Sequence, residues 1–299
     1  MARTVLRGDR RSNAAVLPDT GWNAGLLAHR LGDRNVTTVE VDPALSARAA
    51  ANLAACGLKP QLIAGDGAVG DAAGAPYDRI LATCSVREIP TAWLTQSAPG
   101  GVILVPWETP WFAYGLLRLT VDEGGGTSGA SGASGASGRF APYACFMPMR
   151  RHSTDLRIFR DVVRDDQTPE ESRTPLPPWA ITGDEWSARF AVGLQLRNVW
   201  PAWHHAPDVP GVTSRLRLAT TDTTSWAAID CEDGREETAG RFTAWQYGPR
   251  RLVDEAEAAY AWWRDAESPG PERFGLTVAA DGRHTLWLDT PEHPVPVTG

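Results

Sequence analysis

Along its first hundred residues the chain switches repeatedly between two hydrophobic periods. The short apolar piece Ala14 to Leu17 leads through Asp19-Thr20-Gly21 to a helical pattern over Trp22 to Leu31, closed by Gly32. The β-branched run Val36 to Val41 predicts a strand, which carries Glu40 close to its end. A helix should follow at once: Asp42 can cap it, Pro43 suits its first turn and Gly57 supplies the stop. Further strands are predicted at Gln61 to Ala64, at Tyr77 to Thr83 and at Val102 to Trp107. The turn Gly65-Asp66-Gly67 and a short helix around Trp93 lie between them. Strands alternating with helices predict an α/β fold whose sheet is doubly wound, mostly parallel and covered on both faces.

The pattern changes past residue 107. Leu116 to Val121 and Phe140 to Met147 read as two strands of an antiparallel hairpin. The Ser-Gly-Ala repeat between them, residues 124–138, has too little apolar surface to offset its ordering entropy and is expected to be a flexible loop. Charges of both signs and prolines accumulate from Arg150 to Pro178, where periodicity lapses. The expected organisation is therefore a first domain over residues 1–150, a linker over 151–178 and a C-terminal α+β domain over 179–299. In that last part strands are predicted at Arg215 to Ala219, Trp226 to Asp230, Gly275 to Val278 and Thr285 to Leu288. A helix over Arg250 to Ala266 carries Leu252, Ala256, Ala259, Tyr260 and Trp263 at helical spacing.

Composition narrows the function classes. A length of 299 residues with 42% hydrophobic content is enough for two cores. The formal net charge of -7 argues against a nucleic-acid backbone as the main partner. Four cysteines, Cys56, Cys84, Cys145 and Cys231, form no Cys-x-x-Cys pair, which suits a reducing compartment without structural zinc. No apolar run has the length of a membrane span, and the basic N-terminus lacks the apolar core of a signal peptide, so a cytoplasmic protein is expected. Most of the thirteen tryptophans lie beyond residue 100, as buried core or as the wall of a groove for a peptide or aromatic ligand. The adjacent His204 and His205 lack the i, i+4 spacing of a helical metal site, and no motif gives Cys84 a His-Asp pair. No metal site and no catalytic residue are assigned.

Glu40 is the leading candidate for a binding role. An acidic side chain at the carboxyl end of a strand in a doubly wound sheet can accept hydrogen bonds from both hydroxyls of a ribose. Its alternative is a solvated carboxylate ahead of a helix. Gly65-Asp66-Gly67 sits one strand later, where small residues allow the backbone close to a planar ring and Asp66 can accept from an exocyclic amine.

The ordered blocks VEVD, AGDGA, YDRILATCSVREIP, WLTQSAPGGVILVP and FMPMR resemble the protein-L-isoaspartate O-methyltransferase family over Thr20 to Arg151. That resemblance implies S-adenosyl-L-methionine as cofactor and methylation of an Asp or isoaspartyl carboxylate in a peptide or protein. It assigns Glu40 to the ribose, Asp66 and Gly67 to the adenine-side turn, and Thr20 and Gly21 to the end of the glycine-rich loop. The distal stretch from Gly240 to Val278 is similar to actinobacterial methyltransferases that accompany ATP-grasp ligases. This implies a crosslinked precursor peptide as substrate, whose methylated Asp then closes to an aspartimide.

Two departures from the family pattern stand out. Its loop reads Glu-Ile-Gly-Thr-Gly-Thr-Gly-Tyr-Asn-Ala, whereas this chain has AVLPDTGWNA from Ala15, with Leu17 and Asp19 replacing glycines around Pro18. Leu17 and Pro18 remove backbone freedom there, while Asp19 either pairs with the cofactor's ammonium or caps the next helix. The family's Ser-Gln-Pro segment ahead of the first strand has no counterpart before Ala14, and Ser12 receives no role. These departures keep open a second reading, a catalytically impaired methyltransferase-fold module that binds within a peptide maturation complex.

Overall fold

The structure is a computed structural model. It describes the backbone of residues 14–17 and, in full, residues 21–123, 135–142, 144–150, 161–205, 209–231 and 242–299, with the backbone alone at 232. The chain divides into two compact units, each assembled from separate stretches.

The first unit begins with β1 (Ala14–Leu17), α1 (Trp22–Leu31), β2 (Val36–Glu40), α2 (Pro43–Ala55) and β3 (Gln61–Ala64). It continues through β4 (Tyr77–Ala82), the short α3 (Thr91–Thr95), β5 (Ser97–Trp107), β6 (Gly115–Val121) and β7 (Ala136–Pro142). Helix α1 starts from Gly21 at φ 94° and stops at Gly32, whose N–H donates to Ala28 O. Its buried positions Ala24, Leu27 and Ala28 recur at helical spacing. Helix α2 is capped as its sequence predicts: the Asp42 carboxylate accepts from the N–H groups of Ala44 and Leu45 at 2.9 and 3.3 Å. Gly57 follows its end with φ 73°.

Elements of the second unit come next in the chain. They are β8 (Glu170–Thr174), α4 (Pro178–Thr182), α5 (Trp186–Gln195), β9 (Val199–His205), β10 (Val212–Thr220), β11 (Trp226–Glu232), β12 (Phe242–Tyr247) and α6 (Leu252–Asp265). Its five strands form an antiparallel sheet in the order β8-β12-β11-β10-β9. Leu216, Leu218, Ile229 and Ala244 are fully buried in it, as are Leu252 and Ala256 of α6. Trp200, Ala219, Trp226 and Ala228 cluster with Val162.

The last two strands, β13 (Phe274–Val278) and β14 (His284–Leu288), return to the first unit. They complete a nine-stranded sheet in the order β14-β13-β7-β6-β5-β4-β1-β2-β3. The five strands from β5 to β3 run parallel, and the other four are added antiparallel. This is the class I methyltransferase-like α/β fold with a mixed central sheet. Among the described residues, no helix is long and apolar enough to cross a membrane.

Four sequence expectations are corrected. The C-terminal domain does not own all of residues 179–299: Glu272–Pro294 belongs to the first unit, because β13 pairs with β7 over Gly275↔Arg139 to Val278↔Ala136. Conversely, Glu108–Ala113 belongs to the second unit, where Trp111 is buried and donates through Nε1 to Ile181 O, and Phe112 lies 4.8 Å from the Phe190 ring. The expected linker also holds β8, which pairs with β12. As for the expected loop 124–138, residues 124–134 lie outside the described residues, while Ala136 to Gly138 already form β7 and pair with β6. Strands β6 and β7 pair antiparallel as expected, but β7 runs over Ala136–Pro142 and not over Phe140 to Met147.

Leu276 of β13 is fully buried. The substitution Leu276→Ala should cost about 2–5 kcal/mol in urea unfolding. Hydrogen exchange should report the loss in β6 and β7 of the first sheet; a loss confined to residues 199–232 would contradict the discontinuous first unit.

Candidate functional site

Strand order places the site. The chain winds from β1 outward through β2 to β3, then returns to β4 on the other side of β1, with which β4 pairs directly. The crevice outside the carboxyl ends of β1 and β4 is therefore the switch point where open α/β sheets take ligands. The turns after β2 and β3 meet that edge side by side, joined by the bond from Gly65 N–H to Glu40 O.

Glu40 is the last residue of β2 and is 6% exposed. It is not the open, solvated carboxylate of the alternative reading. Its Oε1 accepts from the N–H of Asp42 at 2.8 Å, so one oxygen is engaged by the chain that turns into α2. Among the described residues no further hydrogen bond is recorded on that carboxylate. A buried carboxylate with remaining acceptor capacity suits a pair of hydroxyl donors.

Asp66 and Gly67 lie next to it. Gly65 N–H donates to Glu40 O at 2.9 Å, which ties this turn to the end of β2. Asp66 Oδ1 accepts from Ala68 N–H at 3.0 Å, and Asp66 O accepts from Val69 N–H, so the residue also shapes its own turn. Gly21 stands at the start of α1 in the left-handed region, and a Cβ there would press on Ala49 O and Leu53 of α2 at 3.2 Å. Its glycine is required by backbone conformation and helix packing. Thr20, Pro18 and Asp19 lie outside the described residues. Glu40, Asp66 and Gly67 are thus brought to one edge, with Gly21 at the adjoining helix start.

The sequence reading missed the clamp behind the Gly65-Asp66-Gly67 turn. Trp93 and Gln96 stand three apart, in α3 and at its C-terminal end, and both face residues 67–71. Trp93, 1% exposed, donates from Nε1 to Gly67 O at 2.8 Å. Gln96, 8% exposed, donates from Nε2 to Val69 O at 2.8 Å and accepts from Asp71 N–H at 2.9 Å. The hydroxyl of Tyr77 adds a bond to Asp71 Oδ2 at 2.8 Å. Burial pushes the Tyr77 phenol up to about 12, its bond to Asp71 adding to the rise and the Thr37 hydroxyl opposing it. A polar residue three positions after a tryptophan in a short helix was the available signal.

The remaining candidates are resolved by place. His204 and His205 alternate across the edge strand β9, where Arg217 meets His204 Nδ1 at 2.7 Å. Burial and the charges of Arg217 and Arg215 hold the His204 imidazole below its usual range. Cys84 is buried just beyond β4. Among the described residues, no group of three metal-ligating side chains occurs. A cavity of about 440 Å³ lies beside α1 and α2, lined by Trp22, Leu26, Leu53 and Cys56 among others; neither Glu40 nor Asp66 lines it.

Residues 16–114 match the family model described as Protein-L-isoaspartate(D-aspartate) O-methyltransferase (PCMT). That segment is similar to the protein-L-isoaspartate O-methyltransferase family. It contains Gly21, Glu40, Asp66, Gly67, Trp93 and Gln96. The Protein-L-isoaspartate O-methyltransferase of Ignicoccus hospitalis is 33% identical over 109 residues, covering 36% of this chain and 51% of the relative. The Xanthobacter autotrophicus protein of the same name is 36% identical over 109 residues, 36% of this chain and 49% of the relative. The chain spans about half the length of these curated relatives. A solved protein-L-isoaspartate O-methyltransferase structure superposes with a TM-score of 0.51 at 17% identity, covering 94% of this chain and 77% of that one, which establishes likeness of fold.

Two outcomes follow for the clamp. Gln96→Leu removes the side-chain partner of the Val69 carbonyl and of the Asp71 N–H and should cost about 1–3 kcal/mol in urea unfolding. Faster hydrogen exchange at Asp71 should accompany it, and unchanged exchange there would exclude the clamp. Because the folded protein keeps Tyr77 protonated above the ordinary phenol value of 10.0, this stability is complete below pH 10 and declines as pH rises toward about 12. Ultraviolet titration should show a late phenol step that Tyr77→Phe removes.

Proposed function

We propose that this chain is an S-adenosyl-L-methionine-dependent O-methyltransferase acting on an Asp or isoaspartyl carboxylate of a peptide or protein. The observation that carries the reading is Glu40: a buried carboxylate at the switch-point end of β2, inside the segment that matches the family. The residues present fit the cofactor by their donor chemistry. Glu40 would hold the ribose hydroxyls, Asp66 and Gly67 would face the adenine, and Gly21, with Thr20 ahead of it, would close the loop at the start of α1. When bound, S-adenosyl-L-methionine supplies an electrophilic methyl carbon on a sulfonium that leaves as a neutral thioether.

Little proton chemistry is then asked of the chain. A carboxylate acceptor is ionised at neutral pH, so its residues need only bind, align and exclude water. This accords with the absence of an assigned general base. We further assign the second unit to holding the peptide, and take the acceptor to be a precursor peptide crosslinked by an ATP-grasp ligase, whose ester would close to an aspartimide. The support for that narrower substrate is the distal sequence resemblance. None of the four cysteines is in a disulfide, and we take the chain to work in a reducing cytoplasm.

Calorimetry with S-adenosylhomocysteine separates this reading from a module that has lost cofactor binding. Saturable binding is expected, and Glu40→Ala should weaken it by about 1.5–3 kcal/mol, the scale of hydrogen bonds to a charged group. Absence of binding at high micromolar ligand would remove the enzyme reading and favour the binding module.

A further inference from the structure

The segment Phe146 to Arg150 lies against the chain that leaves the end of β4. Ser85, three residues past the end of β4, is 1% exposed and forms a parallel bridge with Pro148. Ser85 N–H donates to Met147 O and Met149 N–H donates to Ser85 O, both at 2.9 Å. The Ser85 hydroxyl adds a bond to Phe146 O at 3.2 Å. The backbone up to Met149 is therefore fixed beside β4, across β1 from the strand that bears Glu40. From this fixed base Arg150 reaches back over the edge, and its guanidinium meets Asp42 Oδ2 at 3.3 Å.

That contact is weakly committed. The Arg150 side chain is 66% exposed, and one nitrogen meets one oxygen at a distance longer than a charge-assisted fork requires. Exposed pairs of this kind add little to stability because water screens them. Asp42 does not depend on it: the N–H groups of Ala44 and Leu45 come first in holding its carboxyl below the usual range, ahead of Arg150. The arginine can leave while the cap keeps Asp42 satisfied.

Charge explains why it would leave. Glu40, Asp42 and Asp66 line this edge, and the whole chain carries a formal net charge of -7. A carboxylate approaching such a rim is repelled unless a cation meets it. A guanidinium has a planar fork that grips a carboxylate by two parallel bonds, and it stays charged at any physiological pH.

We propose that Arg150 is the acceptor-binding residue of this site: its guanidinium exchanges Asp42 for the carboxylate to be methylated and holds that carboxylate at the β4 side of the crevice. This rests on the proposed function and deepens it by naming the group that selects an anionic acceptor.

The test measures binding of a short synthetic peptide carrying one Asp and one L-isoaspartyl residue to the full chain saturated with S-adenosylhomocysteine, alongside KM and kcat for methyl transfer. Arg150→Ala should weaken peptide binding and raise KM by about tenfold or more, with S-adenosylhomocysteine affinity unchanged within about twofold. Arg150→Lys keeps the charge without the fork and should fall between. Asp42→Asn keeps the helix cap and frees the arginine, so peptide binding should tighten by about two- to threefold. Wild-type affinity for peptide in Arg150→Ala, or a loss confined to cofactor affinity, would overturn the assignment of Arg150 alone. Wild-type protein that fails to bind S-adenosylhomocysteine would overturn the proposed function itself. Wild-type protein that binds S-adenosylhomocysteine and not the peptide would overturn Arg150 as a residue that captures an Asp or isoaspartyl carboxylate of a linear peptide.

Discussion

A carboxylate buried at the end of a strand has to find hydrogen-bond donors or unfold its surroundings. Glu40 finds its first in the N–H of Asp42, and the rest of the edge is arranged around that bond. Asp42 turns its own carboxylate forward to cap α2, so a single two-residue step fixes the strand end, the helix start and the orientation of the buried acid. The next turn is tied in by Gly65 N–H on Glu40 O and held from behind by Trp93 and Gln96. On the proposed function, stiffness at this edge would let the second Glu40 oxygen meet a diol with little reorganisation.

The second theme is discontinuity. The first sheet takes its last two strands from residues 274–288, and the second unit takes Trp111 and Phe112 from a stretch that follows β5. Each exchange is decided by burial. Trp111 is 1% exposed and Phe112 3%, while Leu276 and Phe274 are fully buried. Arg139 of β7 lies over the Trp287 ring at 5.1 Å, adding a cation–π contact where β14 closes the edge.

Local patterning made most of the first unit legible. The cap at Asp42, the Pro43 start, the glycine stops and the β-branched run before Glu40 are short-range signals, and α1, α2 and β2 to β5 follow them closely. Pairing across long separations was invisible. Nothing in Phe274 to Leu288 says which sheet it joins, because an alternating strand satisfies either; only the register with Arg139 decides. Strand β9 was hidden by Pro201, tolerated because β9 is an edge strand. At the site, Glu40, Asp66 and Gly67 could be placed by position after successive strands. Gln96 could not, since its partners Val69 and Asp71 are backbone groups 27 and 25 residues away.

The central claim is that Glu40 grips a ribose. A crystal structure of the chain with S-adenosylhomocysteine tests it most directly. The account predicts both ribose hydroxyls within hydrogen-bond distance of the Glu40 carboxylate, about 2.5–3.0 Å, with the Asp42 N–H bond retained. Nucleoside bound elsewhere, or Glu40 still closed to it with the cofactor in place, would contradict it.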